Sequence, residues 1–481
     1  MTKDSSAHIA PKVNLFTMFR LGLFQMGLGI MSILTLGVLN RIMIKELAIP
    51  ATLVAGTIAM HQFVAPARLW FGQLSDAKKI GKTHRTGYVW IGAALFAIAA
   101  FLAVQITWQL GNSVYSQGWT LPTYGWIALL AGTFALYGLA LSSSSTPFAA
   151  LLVDVSDEDN RSKLVGIVWS MLMVGIVIGA IISARLLPAP TTCQDTGVVE
   201  SIYRNPQSLA LLQGAINRLF LLLPAVVFGL AVLSTFGVEK KYSRYTSRSM
   251  LVNREDKITL AKALQVLTAS RQTGLFFTFL LVMTISLFMQ EAVMEPYGGE
   301  VFGMCVSETT RLNAFWGTGT LIGISSTGFL IVPRLGKQKT AQLGCLTVAL
   351  SLGLVVTSGF SANPQMLQGA LLLFGLASGV TTTGAISLML DLTAAETAGT
   401  FIGAWGLAQA IARAIATVTG GAVLDIGRQL FSERVLAYGL VFTVQAVGMI
   451  LAIWFLNRVD VAEFRANAKN AIASILENEL D

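Results

Sequence analysis

Charge is scarce in this chain. Only 12% of its 481 residues are Asp, Glu, Lys or Arg, against roughly 25% in soluble domains. With 54% hydrophobic residues, a water-soluble fold would have nowhere to hide the apolar surplus. Cysteine is scarce too. Cys193, Cys305 and Cys345 are too few for a disulfide scaffold or a cysteine-rich metal site. Histidine occurs three times, as His8, His61 and His84, and no catalytic constellation forms around any of them. A phosphate-cradling glycine loop is absent, so the sequence points to no ATP-driven step, no enzyme and no metal site of the chain's own. The segment Met1–Lys12 is polar without a cleavable signal pattern, so the first helix is expected to stay in the mature protein.

What the chain has is long apolar runs, at about 17–40, 51–73, 87–108, 125–152, 164–187, 217–237, 273–295, 312–333, 340–361, 366–390, 399–424 and 435–456. A spanning helix needs about 20 such residues. The runs predict an all-α polytopic membrane protein with twelve transmembrane helices. A net charge of +8 is compatible with nucleic-acid binding, but the basic residues are sorted by side. With the N-terminus placed inside, twenty-three Lys and Arg fall on the inner side and six on the outer. Cytoplasmic loops carry such an excess, so both termini are expected to be cytoplasmic and no nucleic-acid face remains. The polar stretch 238–272 separates a first six-helix half (1–237) from a second (273–457), and 458–481 reads as an amphipathic tail. Within the linker, Ile258, Ala261, Leu264 and Leu267 recur at helical spacing, as do Val461, Phe464, Ala468, Ile472 and Ile475 in the tail. Both suggest helices lying on the inner membrane surface. Trp108, Tyr115, Trp119, Tyr124 and Trp126 read as an interfacial aromatic belt, so membrane lipids are expected neighbours.

The halves resemble each other. Leu152-Val-Asp154 closes the fourth run and Met389-Leu-Asp391 the tenth, with Gly166 and Gly403 at the same offset beyond. Repeated six-helix halves are the mark of the major facilitator fold. The loop from Gly72 through Asp76 and Gly81 to Arg85 resembles that superfamily's G-x-L-x-D-x-x-G-(R/K) signature. Asp76, Asp154 and Asp391 sit at inner helix ends, where an acid can pair with a basic side chain or a helix N-terminus and gate the inner face; simple solvation of loop ends is the competing reading.

Polar groups at membrane depth are costly and normally face the bundle interior. His61 and Arg68 in the second run, Arg413 in the eleventh, Gln25 in the first and Gln290 in the seventh are therefore the candidate binding residues. His61 can hydrogen-bond between helices or, as a neutral imidazole, serve as axial ligand to the magnesium of a chlorophyll. Arg413 suits a structural anchor or an anion clamp. Glu291, Glu295 and Tyr297 close the seventh run on the outer side. There Pro296 ends the helix, and Gly298-Gly299 would permit a reversal; the turn is a candidate docking surface for a partner.

Three stretches resemble one family. Arg20-Leu-Gly-Leu-Phe-Gln25-Met with Leu39-Asn40-Arg41 and Glu46-Leu47 is similar to the opening of the PucC, or bacteriochlorophyll delivery, family, and His61, Arg68, Gly72 and Ser75-Asp76 fit its second span. The segment Met289-Gln-Glu-Ala-Val-Met-Glu295-Pro-Tyr-Gly-Gly-Glu-Val-Phe-Gly303-Met304 resembles the family's Q-D-x-L-L-E-P-Y-G-G-x-V-F-G-M, with Glu291 in place of aspartate. The resemblance implies a protein of photosynthetic membranes, thylakoid or bacterial inner membrane. It would bind or deliver chlorophyll or bacteriochlorophyll during biogenesis of light-harvesting or photosystem complexes, with chlorophyll-binding apoproteins as partners. The competing reading is a proton-coupled carrier of a small anionic or pterin-like solute. The topology is testable: a cysteine placed at residue 245 should resist a membrane-impermeant thiol reagent added outside, and labelling in intact vesicles would reverse the orientation.

Overall fold

A computed structural model describes residues 11–81, 83–156, 158–187, 206–243, 271–392 and 398–460. The proposed linker and tail helices and Cys193 lie outside the described residues. Helices account for nearly all of what is described; the sole departure toward β-structure is an isolated bridge between Ile80 and Thr83.

The first rod begins as α1 (Leu15–Ser32), whose N-cap Asn14 accepts a hydrogen bond from the Thr17 amide at 2.8 Å. It continues through wide π-turns at Ile33–Leu39 and Ile42–Glu46. The second rod is broken into α2 (Ala51–Phe63) and α3 (Ala67–Ala77). The break falls just before Pro66, where the residue ahead of a proline is pushed out of helical geometry. The half is completed by α4 (Thr86–Gln117), α5 (Leu121–Val155), α6 (Glu158–Leu186) and α7 (Pro206–Thr235), with a short α8 (Val238–Tyr242) after Gly237. In the second half α9 (Arg271–Phe288) passes through a 3₁₀ turn, Met289–Ala292, into α10 (Met294–Phe302). Then come α11 (Val306–Ser326), a π-turn at Thr327–Ile331, α12 (Val332–Leu335), α13 (Lys337–Phe360), α14 (Pro364–Leu392), α15 (Ala398–Leu430) and α16 (Arg434–Leu456).

Ten of these helices, among the described residues, are long and apolar enough to cross a membrane. The expected runs at 51–73 and 312–333 fall outside that set. The first is cut in two, and the second falls in a helix, Val306–Ser326, that opens with Glu308, Arg311 and Asn313 and passes into a π-turn. Two further expectations are corrected. The chain reverses at Gly303 (φ 67°), not at Gly298-Gly299, which lie inside α10. Trp108 is buried rather than interfacial, its indole N–H donating to Asn217 at 3.2 Å; Tyr115, Trp119 and Tyr124 are exposed.

The neighbour pattern repeats between halves. α4 packs on α5 and α7 as α13 does on α14 and α16, α2 packs on α5 as α11 does on α14, and α1 packs on α7 as α9 does on α16. The halves meet by exchange, α2 against α15 and α6 against α11. Leu136, Leu211, Leu350 and Val447 stay exposed on helix flanks, as a hydrocarbon solvent permits. A helix satisfies its interior backbone groups by itself, which is the condition for spanning lipid.

Close approach of α1 and α6 rests on glycine. A Cβ at Gly175 would overlap the Met26 carbonyl, and one at Gly29 the Leu172 carbonyl. Gly175→Val should therefore destabilise by about 1–3 kcal/mol or more. Gly229→Val, whose Cβ meets open space, should leave the melting temperature of detergent-purified protein unchanged. Equal melting of the two variants would refute the packing argument.

Candidate functional site

At the end of the bundle expected outside, the Asp425 carboxylate of α15 takes the first free amides of α2: Ala51 N–H at 3.0 Å, Thr52 N–H at 2.7 Å and the Thr52 hydroxyl at 2.7 Å. This is a helix N-cap supplied by the other half. Gly421, one turn back, lies against Ala51 and Ala55. From that crossing the two helices run inward antiparallel. His61 lies six residues past Ala55 and Arg413 eight before Gly421. At 1.5 Å per residue these are about 9 and about 12 Å, so His61 and Arg413 stand nearly level. Arg68, further along, and Arg413 are both within Coulombic range of His61.

His61 Nδ1 is 2.5 Å from the Ile58 carbonyl oxygen. A carbonyl only accepts, so Nδ1 carries the proton in this contact and Nε2 presents its lone pair. The ring meets Tyr137 edge-on, centroids 6.1 Å apart. Arg413 donates to Glu291 Oε1 at 2.7 Å, and its guanidinium lies 4.1 Å from the Phe288 ring centroid. Gln290 is buried and accepts from Gln445 at 2.7 Å. Gln25 is half-buried on α1 without a hydrogen bond among the described residues. The sequence candidates thus divide: His61, Arg68 and Arg413 come together, Gln290 is tied to α16, and Gln25 stands apart.

The outer residues expected to dock a partner do not form a surface. Glu295 is buried, and the Asn313 amide donates to it at 2.5 Å. Tyr297 is wholly buried and donates to the Val355 carbonyl at 2.9 Å. Glu291 is held by Arg413 where α9 breaks. Their neighbourhood is an internal clamp between halves. The Asn40 amide donates to the Ala292 carbonyl at 2.8 Å, and buried Arg41 donates to the Met304 carbonyl at 2.7 Å and to the Thr309 hydroxyl. Nearby, Arg428 pairs with Glu300 at 2.6 Å. Cys305 is disulfide-bonded, whereas Cys345 is a buried free thiol.

At the opposite end, Asp154 accepts from Arg85 at 3.0 Å, and Arg85 also donates to Ser75 at 2.6 Å, all three buried. Glu239 caps α4, accepting from the amides of His84 (2.5 Å), Arg85 (3.2 Å) and Thr86 (2.8 Å). Asp76 and Asp391 sit in the last turns of α3 and α14; their side chains lie outside the described residues. Arg41, Arg85, Glu239 and Asp425 were not among the sequence candidates, although an acid directly at the end of an apolar run was a legible signal for Asp425. Among the described residues, every hydrogen bond between the halves lies at the Asp425 end.

The sequence profile of the family described as PUCC protein matches residues 38–464. This chain belongs to the PUCC protein family. Its relatives include the Rhodobacter capsulatus protein named bacteriochlorophyll synthase 44.5 kDa chain, 29% identical over 95% of this chain and 98% of the relative. Protein PucC of the same organism is 28% identical, over 92% of each chain. Among solved structures, the nucleoside transporter NupG superposes with a TM-score of 0.66 at 11% identity, covering 92% of this chain and 99% of that one. The likeness shows the fold alone: that of the major facilitator transporters, in an integral membrane protein.

Removing one member of a buried ion pair strands the other. Asp154→Ala should cost about 3–5 kcal/mol, and the Arg85→Leu, Asp154→Leu double variant should be milder. Melting curves of the purified variants check this; a double variant worse than Asp154→Ala would count against a paired role.

Proposed function

We propose that this family member is an integral-membrane assembly factor that binds (bacterio)chlorophyll between its halves and delivers it to light-harvesting or photosystem apoproteins in a photosynthetic membrane. The names of its relatives, PucC and a bacteriochlorophyll synthase chain, support the biological setting. The observation that carries the reading is His61. A chlorin needs an apolar slot, a few polar anchors and one axial base for its magnesium. An imidazole whose Nδ1–H is held by a backbone carbonyl is oriented as metal-ligating histidines are, and His61 has that arrangement beside Tyr137 at membrane depth. When bound, the pigment's magnesium would take the Nε2 lone pair. The remaining chain residues shield and orient: the Asp425 and Arg41 contacts hold one end of the bundle shut, while at the other end the described hydrogen bonds stay within each half.

The transporter fold favours the second reading, a proton-coupled carrier of a small anion. Against it, the acids cluster at span ends, and Glu291, which reaches the mid-bundle arginine, is already engaged by Arg413.

The protein purified gently from native membranes should show a chlorin absorption band, and His61→Leu should lower its pigment content roughly tenfold at normal accumulation. A pigment-free native protein that supports anion counterflow in liposomes would replace this reading with the carrier.

A further inference from the structure

We propose that Arg68 and Arg413, with His61 beside them, form an anion-binding site at mid-bundle that takes the carboxylate or phosphate end of an amphipathic ligand. The inference deepens the pigment reading and rests on it for the ligand's apolar body; the anion site follows from the charges themselves.

Two guanidiniums stand within range of His61, and Arg68 stands in the field of Arg413. Arg68 has accessible surface at the start of α3 and makes no ion pair or hydrogen bond among the described residues. Arg413 meets a single carboxylate, Glu291, through a single N–H. Its Nε and the far oxygen of Glu291, Oε2, are buried without partners. A guanidinium offers five donors in a planar fork suited to carboxylate or phosphate, and here most of them are unused. An uncompensated cation at membrane depth is expensive and marks a ligand path by default. The packing of α2 on α15 keeps His61 and Arg413 at one level in the bundle. Phe288 under Arg413 and Tyr137 beside His61 supply ring surfaces to an apolar carrier of the anion. A small hydrophilic anion would leave those surfaces unused.

The polar anchors then have separate duties. The arginines read the anionic end, while His61 reads a magnesium centre when the ligand has one. This separation lets the experiment distinguish the site from the pigment reading.

The full chain in detergent would be titrated with a magnesium-free chlorin free acid and with its methyl ester, following tryptophan fluorescence. Nanodiscs of phosphatidylglycerol and of phosphatidylcholine would test lipid as the source of the anion. The acid should bind about tenfold more tightly than the ester. Arg68→Gln should erase that ratio and Arg68→Lys should retain part of it. His61→Leu should weaken a magnesium chlorin ester and leave the acid-to-ester ratio intact. Equal binding of acid and ester, with no preference for phosphatidylglycerol, overturns the anion site even where pigment binds. An Arg68-dependent phosphatidylglycerol preference without chlorin binding supports the anion site, assigns it to lipid and overturns the pigment reading. Should Arg68→Gln fail to accumulate, the wild-type ratio decides by itself.

Discussion

A charge withdrawn from water into hydrocarbon must find its compensation inside the protein, and the position of each compensating partner organises this bundle. At the end expected outside, Arg41 is wholly enclosed; it pairs with Glu46 of its own half at 3.4 Å, and its other donors go to a main-chain carbonyl and a hydroxyl of the other half. Asp425 is satisfied by the amides that begin α2. If the halves parted there, buried Arg41 would keep Glu46 but lose its partners across the seam, and the first amides of α2 would lose the Asp425 carboxylate. The contacts joining the halves therefore complete the hydrogen bonding of one buried charge and of one helix start.

The opposite end solves the problem differently. Arg85 and Asp154 compensate each other within the first half, and Glu239 caps α4 from the same half. Arg20 donates to the Leu233 and Phe236 carbonyls at the end of α7, again without crossing. Among the described residues, these bonds stay within the first half, whereas those at the Asp425 end cross between halves. A rigid-body movement of one half against the other would leave the Arg85 network intact and break the Asp425 and Arg41 contacts. Between these ends, compensation is incomplete: Arg413 has Glu291, and Arg68 has no described partner.

Helix breaks place that incomplete region. The interruption before Pro66 separates His61 from Arg68, and the 3₁₀ turn at Met289–Ala292 puts Glu291 within reach of Arg413 while offering the Ala292 carbonyl to Asn40. One short irregular segment therefore touches both the mid-bundle charges and the clamp between halves. Irregular backbone at membrane depth persists only where protein encloses it or a cavity borders it, and both breaks lie at helices that pack between the halves.

Hydropathy is a property of consecutive residues, so the sequence by itself determined the helical membrane bundle. It also determined the internal repeat and, through the segment around Glu295-Pro296-Tyr297, the family. The depth of His61, Arg68 and Arg413 was legible for the same reason, because depth follows from counting along a helix. The partners of those charges were not legible. Arg413 and Glu291 are 122 residues apart in the chain, and Asp425 and Thr52 are 373 apart; no local pattern pairs them. The acidic turn around Glu295 looked exposed because a proline and two glycines commonly end a helix at a surface. Tertiary packing instead continued the helix through Gly299 and buried Glu295 and Tyr297 between other helices. A side chain's burial and its counter-charge depend on which helices become neighbours, and that is decided only when the two halves close on each other.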